Sequence, residues 1–229
     1  MIHKSSAGLF IFQPAAIKVP SYFINPLPNS RFPYMAVIPP QILLEGYSIG
    51  IFPMADSRYD EDVQWYTARK RGIIPIDKFH LSRRTMRLIR QSRFEFRCDT
   101  MFREVIEGCA YRDTTWISED LIDSFERLHE LGYAHSVEVF NPDGQLSGGT
   151  YGVTLGAAFF AESMFQWEKE ASKAALYHCH QLLVKGGFEL WDVQFHTPHL
   201  EQFGCVEISD KEYQKRLKDA IAKEAKFCK

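Results

Sequence analysis

Leu146-Ser-Gly-Gly-Thr-Tyr-Gly-Val-Thr-Leu-Gly-Ala-Ala-Phe-Phe-Ala-Glu-Ser-Met-Phe165 reads as two strands joined by a turn, and it decides the fold. Its period is strand-like, and Thr154-Leu-Gly156 supplies the reversal. A helix over 168–185 follows, with Ala171, Ala175, Cys179, Leu182 and Leu183 facing inward and Gly186-Gly187 ending it. A buried strand over 189–194 closes the block on Trp191-Asp-Val-Gln194. Two apolar strands therefore run into acids: Ala157–Phe160 into Glu162, and Phe188–Trp191 into Asp192. Burying a carboxylate without a partner is costly, so each acid belongs either to an ion pair or to a site.

Working outward, His135–Phe140 is a strand and Asn141-Pro-Asp-Gly144 a turn into the quoted stretch. Upstream, residues 94–97 form a strand, and Asp99 is placed to cap a helix carrying Phe102, Val105, Ile106 and Cys109. Ser118, followed by Glu119 and Asp120, caps another helix with Leu121, Ile122, Phe125 and Leu128 on its buried stripe. Downstream, residues 205–208 form a strand. Ser209 and Glu212 then make a capping box for a last helix that buries Tyr213, Leu217 and Ile221. Near the other end, Pro39 and Pro40 open a short helix over 41–49. Residues 1–40 are proline-rich and suit extended segments, ordered by Phe10, Phe12, Tyr22, Phe23 and Phe32 packing on something larger. Helices, then an antiparallel meander, then helix, strand and helix predict an α+β fold. We expect a small N-terminal domain over 1–70 and a larger domain over 71–229.

With 229 residues, 45% of them hydrophobic, the chain can bury a sizeable core. A formal net charge of -2 excludes a globally basic nucleic-acid binder. It leaves room for a local patch. Arg83, Arg84, Arg87, Arg90, Arg93 and Arg97 lie between Phe79 and Cys98 with one acid, Glu95. Arg83, Arg87 and Arg90 share one helical face, which is either a solvated surface or a grip for phosphates. Cys98, Cys109, Cys179, Cys205 and Cys228 are odd in number, widely spaced and without a CxxC, so we expect reduced thiols. The apolar run 152–161 is too short to span a bilayer, and no signal peptide is evident. A cytoplasmic protein is expected. His178, His180, His196 and His199 are near each other in sequence. However, i and i+2 positions diverge on a helix, and no metal site is expected.

Ten short motifs stand in one order along the chain. They are Gly50-Ile-Phe-Pro-Met54, Arg71-Gly-Ile, Phe79-His-Leu-Ser-Arg83, Phe102 to Cys109-Ala110, Thr115-Trp-Ile117, Ala134-His-Ser-Val-Glu138, Gly148-Gly-Thr-Tyr-Gly152, Glu162-Ser-Met-Phe165, Ala171-Ser-Lys173 and Asp192-Val-Gln194. In this order they resemble the leucyl/phenylalanyl-tRNA–protein transferase family. Met54 stands where many members carry tryptophan. The order of elements is also similar to that of GCN5-related N-acetyltransferases, so a mostly antiparallel mixed sheet flanked by helices is implied.

The resemblance implies transfer of Leu or Phe, with Met as a further donor, from aminoacyl-tRNA to the α-amino group of a protein or peptide beginning with Arg or Lys. The product would be marked for N-end rule degradation. No cofactor, no membrane and a monomer are expected. An aminoacyl ester is already activated, so no covalent nucleophile is needed, and the chain offers no GxSxG. Phe159, Phe160, Met164, Leu176 and Trp191 would form the apolar pocket, or be plain core. Glu162 would hold the donor ammonium or the cationic acceptor, or pair with Lys173. Asp192 would orient Gln194 and, with it, assist deprotonation of the attacking amine. Trp116 and Met54 would contact the terminal adenosine, and Arg83, Arg84, Arg87 and Arg90 the acceptor stem. Two rival readings are an acyl-CoA-dependent N-acyltransferase and a non-catalytic RNA- or degron-binding module. The first needs a glycine-rich turn where Gln166-Trp-Glu-Lys-Glu-Ala-Ser172 stands. The second gives Glu162 and Asp192 no purpose.

Overall fold

The structure, a computed structural model, describes residues 16–19, 37–59 and 63–228. Among these, two sheets form. A three-stranded antiparallel sheet takes β1 (Ala16–Val19), β3 (Gln64–Ala68) and β2 (Phe52–Met54), in the order β1-β3-β2. The expected packing of Phe10, Phe12, Tyr22, Phe23 and Phe32 lies outside the described residues. The larger sheet has seven strands. In chain order they are β4 (Lys70–Ile73), β5 (Glu95–Cys98), β6 (Ala134–Phe140), β7 (Leu146–Leu155), β8 (Ala158–Gln166), β9 (Leu190–Asp192) and β10 (Val206–Ser209). Their spatial order is β10-β4-β9-β8-β7-β6-β5. All neighbours are antiparallel except β8 and β9. The quoted stretch is thus the central hairpin, β7 and β8, and the fold is α+β with a mixed sheet.

Strand periodicity divides the core. On one face Tyr151, Val153 and Phe160 pack with α1 (Pro40–Ser48), α3 (Phe102–Ala110), α4 (Glu119–Glu130) and α7 (Asp210–Ile221). On the other, Val137, Val139 and Phe159 pack with α5 (Ala171–Gly186). Helix ends follow the sequence in part. Pro40 opens α1, and Ser209 Oγ accepts from Glu212 N at 3.3 Å. Ser82 Oγ accepts from Thr85 N at the start of α2 (Arg83–Ser92).

Two caps do not form. Ser118 makes no side-chain cap. Asp99 adopts φ 60° and accepts instead from the Ser136 N–H at 2.9 Å, beside His135 Nδ1 at 2.7 Å. Its carboxylate is taken by β6 rather than by the helix after it.

The expectation for the cysteines is corrected. Cys109, Cys179 and Cys205 are free and buried, but Cys98 and Cys228 are joined, with Cα atoms 6.6 Å apart across 130 residues of chain. The reason is the C-terminal tail, which folds back along the sheet. Phe227 stacks on Phe159 at 4.9 Å and on His135 at 5.0 Å, delivering Cys228 to the end of β5. Spacing alone carries no trace of such a return. Cys98, Asp99 and Cys228 also bring potential metal-ligand atoms within 4.8 Å of one another, and these include the joined sulfurs. The histidines do not gather: His180 Nε2 bonds Ile76 O, His178 stacks on Phe96 and His199 lies against Phe203. Among the described residues, no helix is long and apolar enough to cross a membrane.

Candidate active site

The acid at the end of β9 is half of an ion pair. Ile73 of β4 lies opposite Asp192, and Arg71, two residues away on the same face, reaches it. Arg71 Nε donates to both carboxylate oxygens at 2.9 and 3.1 Å, and Nη2 donates to Oδ2 at 2.7 Å. Tyr213 Oη of α7 donates to Oδ2 at 2.7 Å, and the Gln194 N–H donates to Oδ1 at 2.8 Å. The remaining arm of Arg71, Nη1, donates to Gly50 O. The guanidinium lies between the rings of Phe52 and Tyr213, at 4.8 and 4.5 Å. Arg71 and Asp192 are 1% and 0% exposed. Burial works most strongly against the Arg71 charge, but Asp192, Tyr213 and Glu162 together outweigh it and hold the guanidinium above its ordinary value. A pair so deep is tolerable because each of the three guanidinium nitrogens donates to an acceptor.

This brace positions Gln194. With its N–H fixed on Asp192, Gln194 sits in the left-handed region at φ 57°, which costs a non-glycine residue about 1–2 kcal/mol. Its carbonyl accepts from Gly72 N at 3.0 Å. A Cβ on Gly72 would meet Phe195 C at 2.4 Å, so glycine there lets the 194–196 segment lie against β4. Gln194 Nε2 then points at Glu162 Oε1, 3.3 Å away.

Glu162 reaches the same place by a different device. The β7–β8 register slips between Tyr151 and Gly152, which pair with Ser163 and Ala161 and leave Glu162 as the extra residue of a bulge. Bulges re-aim side chains, often beside active sites. Gly152 makes room for it: a Cβ there would lie 2.4 Å from Phe160 O and 2.5 Å from the Phe159 ring. Glu162 Oε1 accepts from Tyr47 Oη at 2.7 Å. No cation pairs with Glu162 among the described residues, and Lys173 pairs with Glu170 at 3.1 Å instead. Burial pushes the Glu162 carboxyl up; the Tyr47 bond lowers it, Asp192 raises it and Arg71 lowers it, leaving it at about 8.

Glu162 and Gln194 line one cleft with Phe52, Met54, Trp116, Val193 and Phe195. Sequence reasoning named four of these seven: Met54, Trp116, Glu162 and Gln194. Arg112 anchors the approach to Trp116, donating to Ser163 Oγ and Met164 O at 2.8 and 2.7 Å. The expected apolar group is only partly together. Phe159, Leu176 and Trp191 pack as buried neighbours beside α5 with Met164 at their margin. Phe160 does not join them, since adjacent strand residues face opposite ways, and it packs on Tyr47 at 4.9 Å. Trp191 Nε1 and Tyr151 Oη are buried without a hydrogen-bond partner among the described residues. Arg83, Arg84, Arg87 and Arg90 are exposed on α2, and no carboxylate of a described residue forms an ion pair with them.

Arg71, Tyr213 and Tyr47 were missed as site residues. Their only sequence signal is a polar group inside an otherwise apolar segment, as in Arg71-Gly-Ile-Ile-Pro-Ile76.

Residues 73–218 match the family model described as leucyl/phenylalanyl-tRNA protein transferase, and residues 37–69 match the model of that family's N-terminal domain. A leucyl/phenylalanyl-tRNA–protein transferase of Ruegeria pomeroyi is 50% identical over 190 residues, covering 83% of this chain and 90% of the relative. The protein of that name from Paramagnetospirillum magneticum is 50% identical over 81% of this chain and 90% of its own. That from Gloeobacter violaceus is 47% identical over 84% and 99%. Among solved structures, L-PGS from Bacillus licheniformis aligns with a TM-score of 0.40 at 11% identity, over 76% of this chain and 60% of its own, too loosely to carry an argument. Two family models in succession, and relatives sharing about half their residues across nine-tenths or more of their length, make this chain a member of the leucyl/phenylalanyl-tRNA–protein transferase family.

Proposed function

We propose that the chain transfers Leu or Phe from aminoacyl-tRNA to the α-amino group of proteins or peptides beginning with Arg or Lys. The setting is the cytoplasm, and the product enters N-end rule degradation. The observation that carries this reading is the cleft in which Glu162 and Gln194 meet between Met54, Trp116 and Phe195. An activated ester and an amine need positioning and a proton acceptor, not a nucleophilic side chain. The cleft offers a carboxyl group, a fixed amide and aromatic walls, without a nucleophile–base pair.

In this reading Asp192 orients Gln194, and Glu162 receives a cationic amine. Trp116 and Met54 take the terminal adenosine, and Phe159, Leu176, Trp191 and Met164 surround the donor side chain. The exposed arginines of α2 meet the acceptor stem, where phosphates and shape rather than sequence are read. We further read residues 71–229 as a GCN5-related acyltransferase-like domain and residues 1–70 as a small separate one. Supporting the first is the pairing of β8 with β9, parallel over three residues, after which β8 continues to Gln166 and β9 stops. Supporting the second is the three-stranded sheet, which lies wholly before residue 70.

The test mixes purified protein with labelled Leu- or Phe-tRNA and an Arg-initiated peptide, free or N-acetylated. Label should move to the free-amine peptide alone and vanish when the donor is pretreated with RNase. No transfer with any of these donors, despite tRNA binding, would contradict the reading.

A further inference from the structure

The proposed reaction needs a group that takes a proton. A peptide α-amine has a pKa of about 8, so near neutral pH it arrives largely as an ammonium, with no lone pair for attack. Three side chains stand close enough to be considered. Asp192 is fully buried and each of its oxygens already accepts from Arg71, with Tyr213 and the Gln194 N–H adding to them. Protonating it would break the brace and leave Arg71 buried without its counter-ion. Gln194 is an amide, not a base, and its Nε2 donates to Glu162. Glu162 differs on each count. It lines the cleft, and among the described residues no cation pairs with it and no donor reaches Oε2.

We infer that Glu162 takes the proton from the attacking α-amine, with Tyr47 as its positioning residue, while Asp192 keeps its charge throughout. This rests on the aminoacyl-transfer reading and assigns its proton. The acceptor's ammonium donates to Oε2. The N–H bond breaks, the proton stays on the Glu162 oxygen and the electron pair stays on nitrogen. That pair attacks the ester carbonyl carbon and forms the C–N bond. The C–O bond to the terminal ribose then breaks, and a second proton passes from nitrogen to the departing ribose oxygen. Glu162 returns its proton to solvent. Nothing is oxidised or reduced.

The surroundings suit that task. Groups facing Glu162 are Tyr47 from α1, Tyr151 from β7, Arg71 from β4, and Asp192 and Gln194 at the end of β9. Burial outweighs the rest and sets the carboxyl near the amine, at about 8. A carboxylate at the ordinary 4.5 would hold the amine's proton roughly once in 3,000 encounters, whereas a matched one shares it about evenly.

The experiment follows single-turnover transfer from Phe-tRNA to an Arg-initiated peptide between pH 6 and 9, for the native protein, Glu162→Gln and Tyr47→Phe. Donor binding is measured separately with a phenylalanyl-adenosine amide that cannot react. Glu162→Gln should slow transfer most, about 100-fold, near pH 8, where enough of the native carboxyl is ionised to accept and much of the amine is still ammonium. The gap should narrow towards pH 6, where the native Glu162 is itself protonated, and towards pH 9, where the amine is already free, while analogue binding should stay within several-fold. Tyr47→Phe should move the acid limb of the profile to higher pH, which keeps the test alive should Glu162→Gln fold poorly. A gap that is constant with pH, or wholly explained by analogue binding, would overturn the inference. If the native protein transfers normally and Glu162→Gln matches it, the inference fails alone. If the native protein transfers nothing, the underlying reading fails first.

Discussion

Asp192 ends β9 and Glu162 lies midway along the neighbouring β8, and the fold treats them oppositely. Asp192 ends the short β9 with an arginine, a tyrosine and a backbone N–H on its two oxygens. Glu162 is pushed out of register on a bulge and given one tyrosine and one amide, both on the same oxygen. Both answer the question that an acid beside a core strand raises. The first is an ion pair that fixes a backbone, and the second is a carboxyl kept poorly solvated and uncompensated. An acid buried with its cation is architecture, whereas a half-buried one without a cation is poised for proton transfer.

The contrast can be broken most severely at Arg71. Arg71→Met strands the Asp192 charge and should cost about 3–5 kcal/mol in denaturant unfolding, with Asp192→Asn in the same chain restoring part of it. Full stability in Arg71→Met would show that the brace is not one. Gly152→Ala should come next. Its methyl group would collide with Phe160 O and the Phe159 ring, at a cost of about 1–3 kcal/mol, and should shift the bulge enough to lower transfer as well.

Glu162→Gln should behave differently. Because the folded carboxyl lies at about 8 against an ordinary 4.5, the folded state binds more protons between those values, and native stability falls as pH rises through that window. The variant escapes this loss. It should match the native protein near pH 5 and exceed it by on the order of 2 kcal/mol at pH 8, read from melting curves at each pH. Tyr47→Phe should cost least, about 1 kcal/mol, while raising the Glu162 carboxyl further, since the Tyr47 bond lowers it.

Local features were legible in the sequence because they are local. The β7–β8 hairpin, the arginine face of α2 and the Ser209 cap each follow from residues a few positions apart. Asp192 and Glu162 could be singled out because acids interrupt apolar strands. Their partners could not be assigned, since Arg71 is 121 residues from Asp192 and Tyr47 is 115 from Glu162. The same distance hid the return of Phe227 and Cys228 to β5. Asp99 looked like a cap because its rivals for the carboxylate, His135 and Ser136, arrive only with β6. Phe160 was grouped with Phe159 by proximity, although a strand sends adjacent side chains to opposite faces.

The difference between the two acids is most directly tested by following the carboxyl carbons of 13C-labelled glutamate through a pH titration of the folded protein by NMR. One glutamate resonance should titrate near 8 and be absent from Glu162→Gln. If the resonance that disappears in the variant instead titrates near 4.5, Glu162 is an ordinary carboxylate and cannot be the matched proton acceptor described above.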